Sequence, residues 1–177
     1  MKNRHLLFSC LVMAVAVLFI CGCGSEGGES AEKKEVQLSD KGKLLASKSW
    51  KLSVNEVLND ATSQVDSATG IEADIQLDGD VGKFADFVAE TLTFAKDEND
   101  PTKLAYERKV GEGFLSASVV GYWEFNEDET AIIMREWDSE AGKEKEPVTY
   151  EIVKLTEDKL ILKKEGDAVP NIYNPKE

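Results

Sequence analysis

The chain has 177 residues, 34 of them acidic and 21 basic, for a net charge of −13. A surface that negative repels phosphate backbones and anionic headgroups, which excludes nucleic-acid binding. The single histidine, His5, and all three cysteines, Cys10, Cys21 and Cys23, lie before Gly24, so the remainder holds no disulfide, no Cys/His zinc site and no Ser-His-Asp or Cys-His nucleophile.

Residues 1–22 have the layout of a secretory signal: a basic head with Lys2 and Arg4, an apolar run from Leu6 to Ile20, and small residues at Gly22 and Gly24. The run is shorter than the roughly 20 residues a helix needs to cross a bilayer. Reading back from Cys23 gives Gly22, Cys21 and Ile20, which resembles the bacterial lipobox, where an aliphatic residue, a small residue and a Gly or Ala precede a cysteine that is lipidated and becomes the new N-terminus. Reading back from Cys21 would put the bulky Ile20 at the cut, so Cys23 is the expected acceptor. The resemblance implies a diacylglyceryl thioether and an N-acyl group on Cys23. Each buried methylene contributes about 0.8 kcal/mol, and one chain alone binds only marginally; three anchor firmly. Cleavage would remove Lys2 and Arg4, leaving 19 basic against 34 acidic residues, a net charge of −15.

Residues 23–37 then form a flexible acidic tether, because "GSEGGESAEKKE" has too little apolar surface to offset the entropy of ordering. Its acidic start resembles the signals that send some Bacteroidetes lipoproteins to the cell exterior. Residues 38–177 make one domain by size.

In chain order, Leu38 to Lys48 predicts one or two helical turns capped by Ser39 or Asp40, with Leu44 and Leu45 facing inward. Trp50, Leu52 and Val54 alternate with polar residues as a half-buried strand does, and so do Ile71, Ala73, Ile75 and Leu77, with a turn at Asp78 to Asp80. Phe84, Phe87 and Val88 have the spacing of a short helix over Gly82 to Glu90, and Thr91 to Phe94 reads as a strand. Further strands are expected at Tyr106 to Val110, Ala117 to Phe125, Thr130 to Trp137, Val148 to Leu155 and Lys159 to Lys163, separated by polar turn material. Trp123 and Phe125 share a face, as do Ile133 and Trp137. Strands joined by short turns imply an antiparallel up-and-down meander, and a meander of this size hides its edges by closing into a barrel.

The segments "LLASKSWKL" (Leu44 to Leu52), "GYWEFNEDETAIIM" (Gly121 to Met134) and "YEIVKLTEDKLILKK" (Tyr150 to Lys164) resemble the lipocalin-like lipoproteins common in Bacteroidetes. In those proteins a Trp opens the first strand, a G-x-W-x-F-x-x-D-x-T hairpin stands mid-domain, and a Y-x-I-x-x-L-T-x-D-x-L-x-L hairpin closes the barrel. Lys48 departs from the Gly of the lipocalin signature, and Glu129 stands where Gly is common in the hairpin turn. The resemblance implies a mainly β fold, an antiparallel lipocalin-like β-barrel with one or two short helices, in the bacterial cell envelope at the outer membrane. Barrels of about eight strands either fill their interior with side chains or hold one small ligand.

The expected function is a lipid-anchored envelope lipoprotein, without enzymatic activity, cofactor or metal, whose barrel binds a small apolar or amphipathic ligand. The alternative is a closed-core barrel serving as a protein- or glycan-interaction module. Trp50, Phe94, Trp123, Phe125 and Trp137 are expected in the barrel interior, as ligand contacts or as core. Glu72 and Asp74 share a strand face but read as solvated carboxylates rather than an acid/base pair. The acidic turns at 78–80 and 97–100 lack the ligand spacing of a calcium loop, and Asp66 to Ala68 resembles a short O-glycosylation motif of exported Bacteroidetes proteins, expected in a surface loop.

Overall fold

The computed structural model describes residues 35–69 and 77–176, with the side chains of 65–69 left aside. The signal, Cys23, most of the tether, and the strand expected from Ile71, with Glu72 and Asp74, lie outside the described residues.

The chain opens with helix α1 (Asp40–Ala46) and strand β1 (Ser49–Leu52), followed by helices α2 (Val54–Thr69) and α3 (Gly79–Val88). Strands β2 (Glu90–Lys96) and β3 (Leu104–Val110) come next, then a 3-10 turn at Gly113–Leu115, and then β4 (Ala117–Phe125) and β5 (Ala131–Asp138). A two-residue strand β6 (Lys143–Glu144), then β7 (Val148–Leu155), β8 (Leu160–Lys164) and β9 (Asn171–Pro175) complete the order. Every pairing is antiparallel, and the ring β1-β2-β3-β4-β5-β7-β8-β9 returns to β1, with β6 paired only to the end of β5. The expected closed meander is therefore an eight-stranded antiparallel barrel.

Side-chain alternation fills this ring. Trp50, Leu92, Phe94, Tyr106, Trp123, Ile132, Met134, Leu160, Leu162 and Tyr173 point inward from successive strands and form one buried cluster with Leu45 of α1. Gly121 takes an inward position because a methyl there would lie 2.8 Å from the Tyr106 ring and 2.1 Å from the Arg135 carbonyl oxygen. Only a residue without Cβ lets that ring cross the barrel.

One end of the barrel is capped. Ser39 Oγ accepts from the Gly42 N–H at 3.1 Å, starting α1 as a side-chain N-cap does. The buried Trp50 Nε1 donates to the Leu45 carbonyl at 2.9 Å, which pins the helix over the barrel floor. Lys41 and Lys48 reach across to the carbonyls of Glu129 and Glu157 in the β4–β5 and β7–β8 turns, both at this end. The incoming chain joins here too, through the Val36 N–H to the Pro101 carbonyl and a Glu35–Lys96 ion pair.

The strand expected through Val54 stops earlier. Ser53 donates its N–H to Ile172 of β9, and the Val57 N–H already returns to the Ser53 carbonyl, so Val54 begins α2 instead of extending β1. That helix lies against β9, where Glu56 accepts from Asn174 at 2.7 Å and pairs with Lys159. Asp66 to Ala68, expected in a loop, falls within α2. The turn expected at Asp78 to Asp80 instead starts α3, with Asp78 in the N-cap position.

Candidate functional site

In the capped half, Trp50, Phe94 and Trp123 are almost fully buried, and Phe125 is half-buried beside them. Trp123 stands between two edge-on rings, with centroids 5.4 Å from Phe94 and 5.2 Å from Phe125, which is the arrangement ring quadrupoles favour. Among the described residues its Nε1 is a buried polar atom without a hydrogen-bond partner. Four of the five aromatics expected in the interior are thus together there.

Trp137 is not among them. It lies on the outer face and is 40% exposed, because the inward phase of β5 is carried by Ile132, Met134 and Glu136. Ile133 does share its face, but that face is the outside of the barrel. Both phases of β5 hold apolar residues, so alternation alone assigned the larger ring to the wrong side.

Among the described residues the opposite end is uncapped, and it is chemically different. On β2, β3 and β5 the inward phase passes from Leu92, Tyr106 and Met134 to Glu90, Arg108 and Glu136, so the three strands bring charges together in the mouth. Arg108 lies 3.2 Å from Glu136 and 3.8 Å from Glu90, and Lys145, just before β7, pairs with the other oxygen of Glu136. The Tyr173 hydroxyl donates to Glu90 at 2.8 Å. Two cavities, of about 70 and 80 Å³, flank Arg108 and Tyr150 in this vestibule. Leu92, Met134 and Leu162 floor the first, while Glu146 and Val148 edge the second.

The chain matches no protein-family model, no curated protein and no solved structure. What the vestibule can do must therefore come from its own chemistry. Burial pushes the phenol of Tyr106 up to about 12, and burial likewise raises Tyr150 and, with Glu90 adding to it, Tyr173. These tyrosines stay neutral through the physiological range, as hydrogen-bonding groups and ring faces rather than bases. The hydrogen bond to Glu136 raises the Lys145 ammonium. Polar and ionic groups thus converge around Arg108 and Tyr150.

Larger hollows lie on the outside. One, of about 520 Å³, runs beside Ala95, Ala105, Tyr106 and Val120, and another, of about 350 Å³, is lined by Tyr122 and Arg135 and also reaches Leu104 and Trp123. The acidic turn after β2 uses its carboxylates locally: Asp97 accepts from the N–H groups of Asn99 and Asp100, and Asp100 accepts from Thr102.

Sequence reasoning did not single out Glu90, Arg108 and Glu136. The available signal was a charge in phase with the apolar side of a strand, as in Glu90-Leu92-Phe94 and Tyr106-Arg108.

Proposed function

We propose that this is a lipid-anchored envelope lipoprotein, held by Cys23, whose closed-core barrel works as an interaction module through its open mouth. The observation that carries this reading is where the space lies. The aromatic rings expected to line a calyx pack against one another, and the hollows within the mouth measure only about 70 and 80 Å³. Pockets that enclose a small ligand run to roughly 300–1,000 Å³. Exposed apolar side chains gather at the same end: Phe84 on α3 is 66% exposed and Phe114 in the 3-10 turn 95%. Such groups around a polar depression favour a docking surface.

Two measurements test the reading. Metabolic labelling with an alkyne fatty acid should tag the protein, and Cys23→Ser should abolish the tag; an undiminished tag would remove Cys23 from the anchor. Native mass spectrometry of the full chain, after exposure to a lipid and metabolite extract, should return the bare mass. A retained small molecule would restore the alternative of an internal ligand.

A further inference from the structure

We propose that the mouth vestibule receives a lysine or arginine side chain of a partner protein, whose flanking apolar residues rest on the rim formed by α3 and the 3-10 turn. The inference deepens the interaction-module reading and rests on it.

Size comes first. Each cavity beside Arg108 fits one side-chain head group and little more. Whatever enters must find most of its contact area outside, which points to a macromolecule presenting one protruding group rather than a free small ligand.

The rim supplies that area. The barrel strands place the C-terminal end of α3 and the 3-10 turn at the mouth, since Ala89 leads directly into Glu90, and Glu90 pairs with Val110 just before the turn. On α3, Val81, Phe84 and Val88 have the spacing of one helix face, and all three are exposed. Phe114 and Leu115 project from the turn.

Charge selects the sign of the entering group. Glu90, Glu136 and Glu146 line the vestibule against Arg108 and Lys145, and α3 and its cap add Asp78, Asp80 and Asp86 against Lys83. The whole chain is acidic as well. Complementary charge of this kind steers and orients an encounter. Within the site, Glu90 accepts from Tyr173 and has its guanidinium partner at 3.8 Å, while Glu136 accepts from Arg108 at 3.2 Å and pairs with Lys145, whose side chain is about half exposed. An incoming cation would take the place of Lys145 on Glu136, with the Tyr106 and Tyr150 rings lining the same cavity as faces for it. Lys145 thus acts as an internal stand-in for the partner's cation.

The test uses the full-length protein in phosphatidylcholine nanodiscs and two labelled peptides of equal length and apolar content, one with a central lysine and one with a central glutamate. Empty nanodiscs correct for partition into lipid. The lysine peptide should bind at least tenfold tighter than the glutamate peptide, and Glu136→Gln and Glu90→Gln should each weaken it about tenfold, equivalent to roughly 1.4 kcal/mol. Lys145→Met should tighten it. Phe84→Ser and Phe114→Ser should weaken it without altering the melting temperature. Preference for the glutamate peptide, together with loss of binding in Lys145→Met, would make the vestibule an anion site and overturn the proposal. Equal binding of both peptides that depends on Phe84 and Phe114 would overturn the choice of cation while leaving the interaction module standing. Binding of neither peptide overturns the proposal, and binding explained by the nanodisc alone would assign the rim to lipid.

Discussion

The capped and open halves of the barrel obey one rule of alternation and end in opposite chemistry. Near α1 the inward positions hold Trp50, Phe94, Trp123, Ile132 and Leu160, which are buried against one another. A few residues along the same strands those positions hold Glu90, Arg108 and Glu136, with hollows of about 70 and 80 Å³ beside them. Hydrophobic burial accounts for the first set, whereas charges in place of a cheaper apolar plug are what the fold would not choose for stability alone. The apolar end and the charged end are therefore separable by substitution.

The largest effect should come from the apolar half. Trp50→Ala removes a fully buried ring together with the indole donor on Leu45, and should lower unfolding stability by about 3–5 kcal/mol in guanidinium titration. A loss below about 1 kcal/mol would break the division of labour. Alkali should probe the tyrosines nearer the mouth. Tyr106 is raised from 10.0 to about 12, so the unfolded chain loses its phenol proton first. Stability is then fully present below about pH 10 and drains away as pH rises towards 12, by roughly 2–3 kcal/mol from this residue. Denaturant midpoints followed across that range, beside the tyrosinate absorbance, check it; a flat midpoint would mean the phenol is not held neutral.

Arg108→Met sharpens the contrast from the other side. Because Arg108, Glu90 and Glu136 are all partly exposed, the cost should be only about 1–2 kcal/mol, between the values for surface and buried pairs. Ser39→Ala should cost about 1 kcal/mol through the lost N-cap of α1, read as a small shift in thermal midpoint. Glu129 has φ of +52°, and among the described residues it is the non-glycine residue in that region. Glu129→Gly should therefore stabilise the β4–β5 turn, by up to about 1 kcal/mol. Asn126 already fixes that turn by accepting from the N–H groups of Thr130 and Ala131, which explains how Glu129 is tolerated where glycine would be easier.

Most of the barrel was legible because its turns are polar and its strands alternate: Ala117–Phe125 and Val148–Leu155 have the expected bounds. Helix α2 was not, since Trp50, Leu52 and Val54 continue a strand pattern into it. The competing signal was present in Ser53 and Glu56, at capping-box spacing, followed by Val57, Leu58 and Ala61. Strand β9, short and rich in Asn and Pro, carries little propensity, and its place between β1 and β8 supplies what its sequence lacks. The candidate site was the least legible part. Its members come from β2, β3, β5 and the segment before β7, and only strand phase and closure bring them to one mouth.

The pairing of β1 with β9 joins the first strand of the ring to the last. A chain emerging N-terminus first, from a ribosome or through a narrow pore, can zip β2 to β5 as it appears but holds an open sheet with two bare edges until Asn171 to Pro175 arrive. Closure is a single late event of long sequence separation, slow by its topology. Until then the first strand is paired along one edge only, with β2, and its other edge stays bare.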